Sequence, residues 1–146
     1  MPITQINPEK AKAILDEDPN AVYVDVRSIP EFTTEHPIRA VNIPILHQNA
    51  SGRMEPNPDF VVVANAALPK DKKLLVGCLR GGRSQQACLV LEQMGYDQLY
   101  NVHGGFGGAV DPMTGQISQK GWKDLGLPTS KENGEGVGYE SLKAKV

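Results

Sequence analysis

An apolar strand that ends at a cysteine, turns through glycines and passes at once into a helix constrains this chain most. The segment runs from Lys73 through Leu74, Leu75, Val76 and Gly77 to Cys78, then through Leu79, Arg80, Gly81, Gly82, Arg83 and Ser84. No residue from Leu79 to Ser84 is proline, so every backbone N–H of the turn can converge on one anion, with glycines supplying the unusual dihedrals. The helix N-terminus adds partial positive charge, and Arg80 and Arg83 add two full charges. No carboxylate lies between Lys73 and Leu91 to neutralise that field. Such surroundings favour a thiolate, so Cys78 is read as a reactive sulfur with an anionic partner.

The flanking chain repeats the strand-and-helix order. Asn7, Pro8 and Glu9 form a helix start: a cap, a proline at the first helical position and an acidic first turn. That helix turns Ala11, Ile14 and Leu15 inward and stops before Asp18. Residues Ala21 to Val26 form a near-continuous apolar run, the signature of a strand covered on both faces. A short helix is expected from Pro30 to Glu35, a brief strand from Ala40 to Ile43, and a long polar surface loop from Leu46 to Pro58. Asp59 to Ala67 reads as a helix, as does Ser84 to about Met94, which buries Ala87, Leu91 and Met94 and stops at Gly95. A last short strand lies near Gln98 to Val102. Beyond it, His103 to Gly108 and Asp111 to Gly115 read as an irregular connection to Trp122 through Leu125. Alternating strands and helices indicate an α/β fold with a mostly parallel sheet. Ligands of such sheets bind beyond the carboxyl ends of the strands, where Asp25 and Cys78 both fall.

With 146 residues the chain is one domain by length, and 40% apolar with 22% charged residues is ordinary for a globular protein. A net charge of −2 gives no reason to expect nucleic acid or an anionic membrane as partner. No apolar run is long enough for a membrane span, and the N-terminal residues carry no export signal. Two cysteines and three scattered histidines make neither a disulfide framework nor a structural zinc site, so no metal or cofactor is expected, and a cytoplasmic setting is.

Tyr23, Val24, Asp25, Val26 and Arg27, with Glu31 and Phe32 following, resemble the rhodanese-like (sulfurtransferase) family in its single-domain form. So do His36 with Ala40 to Pro44, the cysteine loop, and the ending from Gly104 and Gly105 through Trp122 to Gly126, Leu127 and Pro128. The resemblance covers roughly residues 4 to 128. It implies a three-layer sandwich around a central five-stranded parallel sheet, with residues 1–128 as the domain and 129–146 as a polar C-terminal segment, either a mobile tail or a surface strap. The chain departs from the family pattern at Glu35 to Ala40, where Arg39 stands in place of the usual glycine. It also has a long Asn49–Asp59 loop and extra residues between Gly108 and Trp122.

By this resemblance Cys78 carries the sulfur. Its thiolate takes the outer sulfur of thiosulfate, a polysulfide or a persulfide, and the backbone N–H groups of Leu79, Arg80, Gly81, Gly82, Arg83 and Ser84 hold the resulting charge. The partners implied are a small anionic sulfur donor and an acceptor that is cyanide or a thiol, a protein thiol included. Arg80 is assigned to attracting the donor. Arg83 is expected to brace the loop from behind against Asp25, which with Arg27 forms the loop support. Arg27 and Glu31, four apart, are expected to form an ion pair.

The alternatives are a partner-fed persulfide carrier, a non-enzymatic docking module and a thiolate phosphatase or arsenate reductase. Phosphatases with this kind of thiolate loop place five residues between cysteine and arginine, whereas Leu79, Arg80, Gly81 and Gly82 are four, and the general acid a phosphatase needs is absent from the loop. Cys88 reads as a core residue, His36 and His103 as structural, and Trp122 as buried against the sheet. The Gly104–Gly108 run imitates a phosphate loop but lacks the lysine and helix of a nucleotide site.

Overall fold

A computed structural model describes residues 3–146. In chain order the elements are β1 (Thr4–Ile6), α1 (Pro8–Glu17), β2 (Val22–Asp25), α2 (Ile29–Thr34), β3 (His36–Pro37), β4 (Ala40–Asn42), β5 (Leu46–Gln48) and β6 (Met54–Pro56). There follow α3 (Phe60–Ala67), β7 (Leu74–Gly77), α4 (Gly82–Gln93), β8 (Leu99–Val102), β9 (Ala109–Val110), β10 (Ile117–Gln119), β11 (Thr129–Ser130) and α5 (Tyr139–Lys143). Five strands form one parallel sheet in the order β1-β8-β7-β2-β4. Every side chain of β7 is buried, as its unbroken apolar sequence requires of a central strand. One core cluster packs Val24, Val76, Leu91 and Phe60 on one side of the sheet; the other packs Leu15, Tyr23, Leu75 and Trp122. Among the described residues no helix is long and apolar enough to cross a membrane.

The cap at Asn7 forms as its sequence predicts: the side-chain oxygen accepts the Lys10 N–H at 2.8 Å. Several expectations are corrected. The fifth strand of the sheet is β1, three residues with only Ile6 buried, which periodicity does not reveal. Leu46 to Pro58 is not an irregular loop, because β5 and β6 pair as an antiparallel hairpin. Its turn is built by Asn49, whose Oδ1 accepts the N–H groups of Ser51 and Arg53, each at 3.0 Å. The stretch after Gly108 likewise contains a hairpin, β9 with β10. Helix α4 begins at Gly82, two residues before Ser84.

Of the two alternatives for the segment after Pro128, the strap is what forms. β11 pairs with β3, and Tyr139 and Leu142 of α5 enter the core beside Ile43 and Phe60. Asn57 ties this strap to the chain before α3, its amide donating to Pro44 O at 2.8 Å and to the Tyr139 hydroxyl at 3.1 Å. Arg39 is the one described non-glycine residue at positive φ, 69°. Its guanidinium donates to the carbonyls of Leu15, Pro19 and Ala21, contacts that offset a left-handed cost of about 1–2 kcal/mol.

Candidate active site

β7 delivers Cys78 to the carboxyl edge of the sheet. Gly77 must be glycine, because a Cβ there would lie 2.1 Å from the Tyr23 hydroxyl. Cys78 is 2% exposed, and its Sγ accepts the Gly81 N–H at 3.0 Å and lies 3.4 Å from the Ser84 Oγ. The N–H groups of Leu79, Arg80, Gly82, Arg83 and Ser84 have no acceptor among the described residues. The turn with the first turn of α4 therefore presents a set of free donors beside one sulfur atom.

What orients them is the Gly104–Gly108 run, a role its sequence alone does not reveal. Phe106 N–H donates to Cys78 O and Gly107 N–H to Leu79 O, both at 2.8 Å, while Gly104 N–H donates to Arg80 O at 3.2 Å. In a trans peptide the carbonyl and the next N–H point in opposite directions. Tying three successive carbonyls to the glycine run therefore turns the N–H groups of Leu79, Arg80 and Gly81 the other way, and that of Gly81 lands on the sulfur. Gly105, at φ 50°, lies so close that a Cβ would sit 2.2 Å from Cys78 O. The signal available in the sequence was the density of glycine, which marks close backbone approach as readily as a phosphate loop.

The supporting charges pair differently from expectation. Asp25 does not meet Arg83; it takes Arg27 in a buried fork, with Nη2 to Oδ2 at 2.8 Å and Nε to Oδ1 at 3.0 Å. The Arg27 guanidinium lies 4.5 Å from the centre of the Phe106 ring, so this pair backs the residue that holds Cys78 O. Arg27 therefore makes no i,i+4 pair with Glu31. Glu31 instead takes Arg83 across the loop, at 2.8 and 3.1 Å, while also accepting Ser28 in a capping box. Arg80 is exposed, and its Nη1 donates to Gly108 O at 2.9 Å.

Burial alone would raise the Glu31 carboxyl, but hydrogen bonds from Arg83 and Ser28 outweigh it and bring it down to about 2 from 4.5. A carboxyl lowered by folding contributes stability above its unfolded value and loses it as pH falls through the folded one. Glu31→Gln is therefore expected to be less stable than the native protein at pH 7, with the gap in thermal midpoint closing between pH about 5 and 2. Calorimetry of both proteins across that range checks it.

The remaining candidates lie outside the cysteine turn. Cys88 is in the core and fully buried, where burial, with the charge of Cys78 and Glu92, pushes its thiol up to about 12. His36 is buried, stacked on Phe32 at 3.6 Å and bonded to Phe32 O, and burial holds its imidazole below the usual range. Trp122 is buried edge-on to Tyr23 with its Nε1 donating to Pro128 O at 2.7 Å. His103 is exposed, next to Gly81 at the rim of the loop. Among the described residues no group of histidine, cysteine and carboxylates could hold a metal ion.

The fold is thus a parallel α/β domain that holds a buried cysteine in a donor-lined turn at the carboxyl edge of its sheet. The sequence pattern of the Rhodanese-like domain matches residues 7–110, and the chain belongs to that family. It is 40% identical over 89 residues to Protein HIGH ARSENIC CONTENT 1, mitochondrial, of Arabidopsis thaliana, a match spanning 61% of this chain and only 52% of that protein. It is 36% identical over 107 residues to Thiosulfate sulfurtransferase 16, chloroplastic, of the same plant, covering 73% of this chain and 78% of the relative. Among solved structures, that of Rv0390 from M. tuberculosis superposes with a TM-score of 0.74 at 27% identity, covering 90% of this chain and all of the other.

Proposed function

We propose that the protein is a sulfurtransferase that carries a sulfane sulfur as a persulfide on Cys78. The carrying observation is the donor set around one sulfur: Gly81 N–H at 3.0 Å from Sγ, with the neighbouring N–H groups of the turn lacking an acceptor among the described residues. Donors placed this way suit an outer sulfur that bears negative charge. In the first half-reaction the Cys78 thiolate attacks the outer sulfur of thiosulfate or a similar anionic donor. The donor's S–S bond breaks, sulfite leaves thiosulfate with the electron pair (a thiolate or shortened polysulfide leaves the other donors), and a Cys78 persulfide remains. In the second, cyanide or a thiolate attacks the outer sulfur, and the bonding pair returns to Sγ. Arg80, bound to Gly108 O at the rim, adds positive charge that attracts the donor. The reading carries a reducing, cytoplasmic setting, which keeps Cys78 a free thiol.

The phosphatase and arsenate readings lose support from the same geometry. A guanidinium that grips a tetrahedral oxyanion must face it, and Arg83 gives Nη1 and Nη2 to Glu31 instead. Intact mass after incubating the reduced protein with thiosulfate tests the proposal. The expected result is a gain of one sulfur atom, absent in Cys78→Ser and removed by cyanide. No gain on a folded protein with an alkylatable Cys78 would reject thiosulfate as donor.

A further inference from the structure

Behind the reactive sulfur lies a chain of polar side chains that the sulfur-transfer steps do not use. Ser84, buried at the first turn of α4, has its hydroxyl 3.4 Å from Sγ, 3.1 Å from Gly81 O and against Asn101 Oδ1. Asn101, 3% exposed on β8, donates from Nδ2 to Gln5 Oε1 at 2.8 Å. Gln5 lies opposite it in the register of β1 and donates from Nε2 to Gln85 Oε1 at 2.7 Å. Parallel pairing thus brings a residue near the N-terminus into line with the cysteine turn.

A hydroxyl has one proton, and this one is surrounded by acceptors. While Cys78 is a thiol, S–H donates to Ser84 Oγ and the Ser84 hydroxyl donates to Asn101 Oδ1, leaving every group satisfied. Once the sulfur is negative, it has no proton to give and calls for the Ser84 proton itself. That would strand Asn101 Oδ1 inside the protein, a costly outcome for a buried acceptor. Turning the Asn101 amide over removes the conflict, because Nδ2 then donates to Ser84 Oγ. Gln5 and Gln85 turn over in sequence, and every bond in the line reverses direction as each amide exchanges its oxygen and nitrogen. Gln85 meets solvent at the far end, where either orientation is hydrated. No proton travels along the amides; the proton lost by sulfur leaves to water.

We propose that Asn101 and Gln5 are positioning residues for Cys78. Their amides reorient with the charge on the sulfur, so that Ser84 accepts from the thiol and donates to the thiolate or persulfide. The inference rests on Cys78 being the reactive sulfur. The titratable and charged groups that interact with that sulfur are Tyr23 from β2 and Arg83 and Cys88 from α4; Asp25 of β2, Arg80 of the turn and His103 at the rim complete the charged and titratable surroundings, and all are unchanged in the test.

Gln5 is exposed, so its substitution leaves the core intact. A glutamate at this position only accepts and holds Asn101 in the thiol orientation; a lysine only donates and holds the reversed one. The rate of Cys78 alkylation by iodoacetamide across pH, read by peptide mass, is expected to fall about threefold at neutral pH in Gln5→Glu and to rise about as much in Gln5→Lys, with the midpoint shifting accordingly. Both effects should vanish in a Ser84→Ala background and survive about 0.5 M salt, where a field acting through solvent is screened. Equal shifts without Ser84, shifts lost in salt, or no shift at all would each overturn the proposal. Failure of thiosulfate to load Cys78 would reject the donor reading and leave the alkylation result to decide this one.

Discussion

Cys78→Ser is expected to lower thiocyanate formation from thiosulfate and cyanide by at least about a thousandfold, whereas Cys88→Ser keeps most of it. The two cysteines are chemically alike in the unfolded chain and differ only in where the fold leaves them. Cys78 sits at a strand end, with the Gly81 N–H on its sulfur and the start of α4 beside it. Cys88 lies on the buried face of that same helix, packed with Ala87 and Leu91 and fully shielded from solvent. Burial raises its thiol to about 12, so almost none is thiolate at neutral pH and it can neither attack a donor nor resolve a persulfide. The cost of Cys88→Ser falls on stability instead. A hydroxyl brought into that apolar contact without a partner destabilises by about 1–3 kcal/mol, read as a lower thermal midpoint. Steady-state rates with thermal melts on both variants separate the effects. Equal losses of activity in the two folded variants would make Cys88 a partner in the chemistry.

The elements that could be read in the chain are those whose physics is local. Asn7 with Pro8 sets a helix start within one turn, and the apolar runs before Asp25 and Cys78 have no stable place except between two covering layers. The cysteine turn with its two arginines was legible for the same reason. What was not legible depends on partners distant in sequence. β1 is a strand because β8 offers it hydrogen bonds, not because Thr4, Gln5 and Ile6 show a pattern. Glu31 has Arg27 four residues away, yet it takes Arg83, 52 residues on, because Asp25 already holds Arg27 in a buried fork. The hairpin of β5 and β6 hides in a polar segment whose order comes from one asparagine side chain. Position along the chain supplied the candidates; competition among them was settled only in three dimensions.

That competition is sharpest at Gly105, where substitution by alanine is expected to reduce sulfur transfer about a hundredfold, the scale set by a misplacement of about an ångström at a reacting group. The φ of 50° is one that alanine can adopt at a cost of about 1–2 kcal/mol, so conformation alone does not account for the loss. The added Cβ would stand 2.2 Å from Cys78 O and 2.9 Å from Leu79 C, both backbone atoms with no rotamer in which to retreat. The glycine run must back away, which breaks the Phe106 N–H bond to Cys78 O and frees that peptide to rotate. The Gly81 N–H then leaves the sulfur, because the peptide that carries it is held from behind by Gly104. Gly107→Ala provides a graded comparison, since its Cβ would meet the Leu79 Cδ1 at 2.6 Å, the end of a side chain that can turn aside. Gly134→Ala, with nothing near the new carbon, is the neutral control. Rates should fall in the order Gly134→Ala, Gly107→Ala, Gly105→Ala, with Cys78 alkylation following the same order. A Gly105→Ala protein that transfers sulfur at the native rate would mean that the turn holds its shape unaided, and that the three carbonyl bonds are a consequence of the loop and not its cause.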